Sequence, residues 1–535
     1  MRCRGAIVAA VLVPGLAAAA PRADYLFPAG GDPAAATLVL VSGTFPVWPV
    51  GIWTDRGQLA IACTTSPGMF TVEVPADGAA GVHRIRFHDA TGASAVRRFV
   101  VDSLPALPES EPNDTPPTAQ AISLPVVVDG ILDKPGQVDC FRVELAAGQR
   151  LVAAVDAHGR LASPFDPGLD LLDERGALIE RNLDAAGLDP RIVHVAKRAG
   201  PVVVRVFGLP ATPDSTIGLA GGASFVYRLT LTDGPLLTGC VPGAIGATAA
   251  LAPRGVDLAA VPVVLSTPGQ AAVAGGGTVR TATLPGAAGL VEIPETTAAV
   301  VEAGPWPRAT PLAALPACVT GCLETAGEAR GVRFGAVKGK RLAIECAARS
   351  IGSAADPVVT IHDAAGRRLF VHDAADERFA WQPPADGDYQ LVVADRRDGA
   401  SPWHGFRVSI EPETPAVRLS VAADAVTGTV GKPIAVEVAI DRRHGFATPL
   451  AIGCEPLAAG IEAAAVVSPA EGDAAKKVSL EIVCREPYSG PVRIVARAEG
   501  QPDSAPLATA VCGPEHVIDL WVSATPAAPE GAAPR

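Results

Sequence analysis

Short apolar or alternating runs recur along this chain, and clusters of Gly, Pro, Asp and Asn separate them. Residues 38–41, 70–74, 83–87 and 98–101 are examples. Runs of this length, spaced roughly eight to twelve residues apart and closed by turn-forming residues, are typical of β-sandwiches. No amphipathic helical segment of convincing length interrupts them. The sequence therefore predicts an all-β, multidomain protein of tandem β-sandwiches, Ig-like or jelly-roll-like in type.

Composition sets limits on size, core type and partners. The 535 residues suffice for several domains, and a hydrophobic content of 49% supports packed cores. Because aromatic residues make up only 4%, we expect cores built from small residues. A formal net charge of −12 argues against nucleic acid as a partner.

The amino terminus has the pattern of a secretory signal. Basic residues near Met1 precede an apolar run over residues 6–20. The run has about 15 residues, short of the roughly 20 that cross a bilayer. We predict a signal peptide over residues 1–20, with an uncleaved anchor as the alternative. The expected location is secreted, periplasmic or cell-surface, with no stable membrane span, and residues 526–535 are predicted to be a disordered tail.

The cysteine content allows two interpretations, disulfide bonds or buried free thiols. Ten cysteines include Cys3, which leaves with the predicted signal, so nine remain. Some should pair in an exported protein. Cys318 or Cys322 could bridge to Cys346, and Cys454 could bridge to Cys484. Buried unpaired thiols are the alternative.

A cluster of oxygen donors is the strongest chemical signal. Glu109, Glu111, Asn113 and Asp114 fall within six residues, and Asp139 follows about a strand later. Calcium takes 6–8 oxygen ligands in flexible geometry, so donors from two segments suit it. We predict a calcium site formed by these five residues. The alternative is a solvated acidic linker that ends in an ordinary Pro-Asn-Asp turn.

The same segment carries a family resemblance. The motifs are Glu111-Pro-Asn-Asp114, Asp129-Gly130, Val138-Asp139-Cys-Phe141, Asp166-Pro167 and Tyr227-Arg-Leu-Thr-Leu231. Over residues 109–233 the chain resembles the bacterial pre-peptidase C-terminal (PPC) domain, a small β-sandwich found on exported proteins, and the collagen-binding domains of bacterial collagenases. The resemblance implies that acidic linker residues bind calcium together with an aspartate on a later strand, here Asp139.

An internal repeat supplies a comparison within the chain. Shifting the sequence by 191 residues superposes Gly130 on Gly321 and Gly148 on Gly339. We therefore predict a degenerate second PPC-like copy over residues 302–413. In this alignment the five predicted ligands change as follows: Glu109 to Val300, Glu111 to Glu302, Asn113 to Gly304, Asp114 to Pro305 and Asp139 to Arg330. Any calcium dependence should be confined to the first copy.

The other segments give less specific signals. Residues 24–102 resemble TIG/IPT-type Ig-like domains, and residues 416–525 resemble bacterial Ig-like modules. Residues 235–301 are either a poorly specified β domain or a linker. Residues 48–53 read as an aromatic-rich strand that packs in a core. His83 and His88 are interpreted as surface residues.

No motif indicates catalysis. Gly-x-Ser-x-Gly, His-Glu-x-x-His, P-loop and Rossmann patterns are all missing from the sequence. We predict a non-enzymatic exported protein that binds an extracellular polysaccharide or protein, in adhesion at the cell surface or matrix. An accessory, targeting or chaperone-like subunit of a separately encoded secreted hydrolase is the alternative, and a hydrolase with a cryptic site is the third.

Overall fold

The computed structural model describes most of the chain. The described residues are 19–31, 35–57, 59–75, 80–185, 187–212, 218–246, 251–258, 261–266, 269–270, 278–373 and 376–527. Residues 1–18 of the predicted signal peptide and 528–535 of the predicted tail lie outside them. Across the described residues the chain forms β-sheets, with one α-helix at His158–Leu161. The predicted all-β, Ig-like sandwich architecture is confirmed.

The N-terminal sandwich contains two four-stranded sheets around an aromatic core. Its strands are β1 (Arg22–Phe27), β2 (Gly30–Gly31), β3 (Thr37–Thr44), β4 (Gly51–Thr54), β5 (Ala60–Cys63), β6 (Met69–Glu73), β7 (Gly81–His88) and β8 (Arg97–Val101). The sheet orders are β1-β3-β6-β5 and β2-β8-β7-β4. Buried Phe70, Phe87 and Phe99 lie in the core between them.

The next ten strands form what we call the first repeat. They are β9 (Ala106–Pro108), β10 (Gln120–Ile122), β11 (Val126–Ile131), β12 (Val138–Leu145), β13 (Arg150–Asp156), β14 (Phe165–Asp173), β15 (Leu178–Asn182), β16 (Arg191–Val195), β17 (Gly200–Pro210) and β18 (Val226–Thr232). Two five-stranded sheets result, β10-β12-β17-β14-β15 and β16-β13-β18-β11-β9. A core of Val, Leu and Phe side chains fills the space between them. A 3-10 turn at Pro116–Thr118 precedes β10.

The middle segment follows the first repeat and forms two small sheets. Its strands are β19 (Leu236–Val241), β20 (Ala252–Val256), β21 (Val264–Leu265), β22 (Gly269–Gln270), β23 (Thr278–Thr283) and β24 (Val291–Pro294). β19 pairs with β20, while β23 pairs with β21, β22 and β24. Buried Leu237, Leu284 and Ile293 contact one another. The described part of the segment thus consists of paired strands with a small buried cluster.

The second repeat reproduces the two-sheet plan of the first. Its strands are β25 (Ala299–Glu302), β26 (Gly304–Pro305), β27 (Thr310–Pro311), β28 (Ala317–Cys322), β29 (Ala329–Ala336), β30 (Leu342–Ala347), β31 (Pro357–Asp363), β32 (Arg368–His372), β33 (Arg378–Trp381), β34 (Gly387–Asp395) and β35 (Gly405–Pro412). The orders are β25-β28-β35-β30-β33 and β26-β29-β34-β31-β32, with β27 also on β29. A 3-10 turn spans Arg349–Ile351.

The C-terminal sandwich has the regular alternation that the sequence predicts. Its strands are β36 (Ala416–Val421), β37 (Ala425–Thr429), β38 (Pro433–Arg443), β39 (Leu450–Glu455), β40 (Ile461–Glu462), β41 (Val466–Ser468), β42 (Lys477–Cys484), β43 (Tyr488–Ala498), β44 (Ala508–Cys512) and β45 (Leu520–Thr525). Along β38, buried and exposed residues alternate from Pro433 to Asp441. One face of this strand therefore packs in the core and the other meets solvent. A 3-10 turn at Asp473–Ala475 precedes β42.

Two expectations for the N-terminal sandwich were wrong in detail. The aromatic strand begins at Gly51, because Trp48 lies in the bend before it. Trp48 nonetheless packs in the core as expected, with its ring 5.2 Å from that of Phe70. His83 is not a surface residue: it is 0% exposed. It lies on β7 opposite the core residue Phe99 and on the same face as Ile85 and Phe87, so it belongs to the inner face of the sandwich.

The predicted disulfides are also wrong, since all nine cysteines of the described residues are free. Strand order explains the first case. Cys318 pairs with Ser409 and Cys346 pairs with Val408, so the two cysteines flank β35 on opposite sides. Two strand spacings separate their Cα atoms by about 9–10 Å, beyond the ~7 Å limit for a bridge. Cys454 and Cys484 lie on β39 and β42, which do not pair.

Charged contacts join the N-terminal sandwich to the rest of the chain. Arg86 binds Asp424 of the C-terminal sandwich at 2.8 Å, and Arg98 binds Glu515 at 2.7 Å. On another side, Arg56 reaches Glu292 of the middle segment at 3.3 Å. The units therefore pack against one another through partly buried ion pairs. Among the described residues, no helix is long and apolar enough to cross a membrane.

Candidate functional site

Two segments of the first repeat bring the predicted ligands together. The linker after β9 is tied to β11 by the backbone N–H of Glu109, which donates to Asp129 O at 2.8 Å. It is tied to β12 by Cys140 N–H, which donates to Asn113 O at 2.9 Å. Because Asp139 precedes Cys140 on β12, these bonds place it beside the linker. The linker is thus hydrogen-bonded to a strand of each sheet, which argues against the alternative of a solvated acidic linker.

Glu109, Asp139 and Tyr227 form the buried centre of the site. The Tyr227 hydroxyl donates to Asp139 Oδ2 at 2.6 Å and lies 3.3 Å from Glu109 Oε2. Glu109 Oε1 also accepts from Ile131 N–H at 2.8 Å. The tyrosine ring lies directly over Gly130, where an added Cβ would sit 2.2 Å from the ring. Glycine at 130 is therefore required for the ring to reach the two carboxyl groups.

Burial strongly disfavours ionisation of the two carboxyl groups. It is the main cause that raises the pKa of Asp139, and the neighbouring Glu109 carboxyl raises it further. The pKa of Glu109 is also raised, by burial first and by Glu111 as well, although Ile131 N–H opposes the shift. Two adjacent buried carboxyl groups cannot both ionise cheaply without a compensating positive charge. No ion pair within the described residues supplies that charge.

Glu111 and Asn113 form the outer edge of the site. Glu111 Oε2 accepts from Asn113 N–H at 2.8 Å, and Glu111 Oε1 accepts from Gln137 Nε2. Gln137 in turn accepts from Asp133 N–H at 2.6 Å. The Asn113 side chain is fully buried, yet neither its Oδ1 nor its Nδ2 has a hydrogen-bond partner within the described residues. Asp139, whose raised pKa favours the protonated form, can share its proton with Glu109. Buried polar atoms without partners are costly, so they call for a ligand.

Four of the five predicted ligands are thus neighbours, and the fifth is not joined to them. Asp114 is half-buried and makes no hydrogen bond or ion pair within the described residues. Its charge does act on the neighbouring Cys140, where it contributes to the raised pKa of the thiol after burial. In the arrangement seen, no group of three His, Cys, Asp or Glu in the described part of the chain is set to hold a metal ion. The donor types fit calcium, but Tyr227 and Gln137 must release their carboxylates for the oxygens to converge.

The structure of the second repeat shows that the 191-residue shift misaligns the two linkers. Ala303 N–H donates to Thr320 O, as Glu109 N–H donates to Asp129 O. Thr310 pairs with Val332, as Gln120 pairs with Phe141. Between these anchors the first repeat has residues 110–119 and the second only 304–309. Ala303 therefore stands at the position of Glu109, and the proposed equivalence of Glu111 with Glu302 is wrong.

Matching Asp139 with Arg330 is confirmed, and a further change accompanies it. Both residues lie two positions before the paired Phe141 or Val332 on equivalent strands. Tyr227 pairs with Gly130, and Phe406 pairs with Gly321 in the same way. An added Cβ at Gly321 would sit 2.6 Å from the Phe406 ring, so the close approach of ring and glycine is kept. The second repeat thus keeps the packing but loses the hydroxyl and both central carboxyl groups.

Arg330 takes over the centre of the site in the second repeat. Its Nε donates to Glu328 Oε1 at 2.8 Å, and its Nη1 lies 3.7 Å from Glu302 Oε1. Nη1 also donates to Ala303 O at 3.3 Å, the residue at the position of Glu109. A protein-borne positive charge therefore occupies the region where the first repeat gathers carboxyl groups.

Sequence reasoning overlooked Tyr227 as a member of the site. The signal that could have found it is the Gly130/Tyr227 and Gly321/Phe406 correspondence, in which a hydroxyl is present only in the repeat that has the acids. Gln137 bridges the linker to the loop before β12, and its counterpart in the shifted alignment, Glu328, binds Arg330.

Comparisons with known proteins give little. No protein-family model matches this chain, and no curated protein matches it. Similar solved structures include the M60 catalytic domain with the CBM51-1 and CBM51-2 domains from Clostridium perfringens ZmpB, at 10% identity, 71% of this chain, 46% of that chain and a TM-score of 0.14. The N-terminal four Ig domains of Dscam1 isoform 6.9 give 10% identity, coverage of 90% and 96%, and a TM-score of 0.18. Salmonella alpha-2-macroglobulin gives 9% identity, coverage of 97% and 48%, and a TM-score of 0.16. This chain spans less than half of the first and third, and TM-scores this low carry no argument.

Proposed function

We propose that this chain is an exported, non-enzymatic binding protein whose first repeat is a PPC-like module braced by calcium. The ion is held by oxygens of Glu109, Glu111, Asn113 and Asp139, and it fastens the linker after β9 to β12. Calcium suits these residues because carboxylate and amide oxygens are its preferred ligands and flexible carboxylates tolerate irregular geometry. The tandem sandwiches then form a rigid surface to which an extracellular polysaccharide or protein binds.

Arg330 is the observation that carries the calcium proposal. In the first repeat Glu109, Glu111 and Asp139 contribute three carboxyl groups, and no basic side chain in the described residues pairs with them. In the second repeat Glu302 and Glu328 contribute two, and Arg330 contributes one positive charge. With all three carboxyl groups ionised, binding one divalent cation would bring the first repeat to the same net charge as the second; without the ion, protonation of Asp139 and Glu109 lowers the charge instead. In this proposal, the calcium ion of the first repeat and Arg330 of the second each offset clustered carboxylates.

A binding array of matrix polysaccharides and proteins tests the binding role. The full chain is applied in calcium and in chelator, beside a Glu111→Ala/Asp139→Ala double variant. We expect retention on at least one polysaccharide or protein, with weaker retention in chelator and by the double variant. Retention on none of the probes would contradict the binding role and favour an accessory subunit of a secreted hydrolase.

A further inference from the structure

A cavity of about 270 Å³, which we call the three-unit cavity, lies where three units of the chain meet. The N-terminal sandwich lines it with residues of β1 and β8, the first repeat with the end of its short helix and the segment that follows, and the C-terminal sandwich with Glu515. Arg98 joins the three units here, because its Nε binds Glu515 at 2.7 Å and its Nη1 donates to Gly159 O at 2.9 Å. Exposed lining residues mark the opening to solvent, and they are Asp24, Ala162 and Pro164.

The charged residues that line the three-unit cavity balance one another. They are two arginines and two acids, namely Arg97, Arg98, Asp24 and Glu515. Glu515 is paired with Arg98, and Asp24 is paired with the exposed Arg22 at 3.1 Å. Arg97 is in no ion pair within the described residues; burial lowers its pKa, and the charges of Glu515 and Asp24 oppose that shift without contact. A lining with equal numbers of acids and bases favours a neutral ligand over an ion.

Several lining residues have polar atoms that remain open to a ligand. Arg97 Nη1 donates to Val96 O at 2.9 Å, but Arg97 Nη2 and the hydroxyl groups of Tyr25 and Ser224 make no hydrogen bond within the described residues. None of these three atoms is among the fully buried ones, so each is accessible. Glu515 uses only Oε2 in its bond to Arg98, and its Oε1 is likewise accessible. A carboxylate only accepts and a guanidinium only donates, whereas a hydroxyl group does both. A ligand with several hydroxyl groups therefore satisfies all of these atoms at once.

The size and the apolar part of the lining suit one sugar ring. Leu26, Leu161 and Val226 line the three-unit cavity as buried apolar side chains. Pockets for drug-sized ligands have volumes of about 300–1,000 Å³, so a cavity of about 270 Å³ admits a smaller molecule. A pyranose has hydroxyl groups around its edge and C–H groups on its faces, so it matches both the polar and the apolar lining.

We propose that the three-unit cavity binds one neutral pyranose residue of a saccharide. Its hydroxyl groups accept from Arg97 Nη2 and donate to the carboxylates of Asp24 and Glu515, while its C–H face packs against the apolar lining. This inference rests on the proposed binding role and narrows it, because it assigns a saccharide as the ligand and the junction of three units as the site. Since three units form the cavity, a bound sugar would also strengthen their packing.

Saturation-transfer NMR of the full chain with glucose, galactose, mannose and N-acetylglucosamine tests this site. We expect saturable transfer to at least one of the four, with a Kd of about 1–3 mM for a ligand of this size. Arg97→Met should weaken that Kd at least tenfold, because it removes the open donor and unbalances the charge. Asp24→Ala, at an exposed position, should weaken it about fivefold. Arg175→Met, which changes an exposed arginine in the β14–β15 turn, is the matched control and should leave the Kd unchanged.

Two results would overturn the proposal. One is the absence of saturable transfer to any of the four sugars. The other is an unchanged Kd in Arg97→Met or, if that variant does not fold, in Asp24→Ala.

The array of matrix polysaccharides and proteins separates this site from the binding role itself. A polysaccharide that retains Arg97→Met as well as the unmodified chain would overturn the three-unit cavity as the site and leave the binding role intact. Retention on no probe would contradict the binding role, and the NMR titration would then decide the cavity by itself.

Discussion

Asp139→Asn separates the calcium account from a purely structural one, because the two accounts predict opposite signs in chelator. Asn keeps the shape of the side chain and an acceptor oxygen for the Tyr227 hydroxyl, now 2.6 Å from Asp139 Oδ2. It removes one of two adjacent buried acids, whose ionisation the fold disfavours. In chelator at neutral pH, the variant should therefore be as stable as the unmodified chain, or more stable by about 1 kcal/mol.

In calcium the order should reverse. An ion at about 100 times its Kd stabilises the folded state by about 2.7 kcal/mol. For a unit the size of the first repeat, this corresponds to a rise of about 10 °C in its melting transition. Asp139→Asn loses a charged ligand from the centre of the site, so most of that rise should disappear.

Differential scanning calorimetry of the full chain in calcium and in chelator measures both effects. Asp133→Asn is the matched control, because Asp133 lies six residues earlier, is 59% exposed and pairs only loosely with Lys134 at 3.9 Å. It should keep the whole calcium-dependent rise. If Asp139→Asn showed the same rise as the unmodified chain, or were strongly destabilised in chelator, the reasoning would be refuted.

Three further predictions follow from the described contacts. Calcium affinity should fall as pH drops from about 8 to 6, because the pKa values of Glu109 and Asp139 are raised and protons compete with the ion, whereas ordinary carboxylates stay ionised over this range. Stability in chelator should rise over the same interval, since the folded state then binds more protons than the unfolded one. A calcium affinity that calorimetric titration finds independent of pH would count against this. Arg330→Met should destabilise the second repeat by about 1–3 kcal/mol in urea melts, because it leaves the carboxylates of Glu302 and Glu328 without their positively charged partner. The loss of stability should be equal in calcium and in chelator, and a loss seen in only one of the two buffers would contradict this. Reducing agent should leave the melting temperature unchanged, because the nine cysteines of the described residues are free; a reductant-sensitive melt would contradict this. Thiol reagents should modify Cys140 and Cys346 only on unfolding, because both are buried and burial raises their thiol pKa to about 12.

The fold class could be predicted from the sequence because alternation is a local signal. The runs at residues 434–440 and 478–483 lie within β38 and β42, whose buried residues face the core. The disulfide pairing could not be predicted, because it depends on which strands are neighbours. Cys318 and Cys346 lie on strands that β35 separates, and the sequence of neither strand indicates the order of strands in the sheet.

The site was predictable in its donors and less so in its arrangement. Clustered acids at Glu109 and Glu111 are visible in the sequence, and Asp139 follows from the resemblance to PPC domains. Their contact with Tyr227 joins residues almost ninety positions apart, so only the folded chain shows it. Shifting the sequence by a constant 191 residues could not show that the linker of the second repeat is shorter. Only the β-strand register identified Ala303 as the residue equivalent to Glu109. The burial of His83 was predictable from alternation, because His83 shares one face of β7 with the core residues Ile85 and Phe87.

Isothermal titration of calcium into the chelator-treated full chain tests the central claim most directly. The account predicts saturable binding by the unmodified chain and by Asp133→Asn, and no saturable binding by Asp139→Asn or Glu109→Gln. Absence of binding heat from the unmodified chain, confirmed by equilibrium dialysis, would contradict it, as would equal binding by all four proteins.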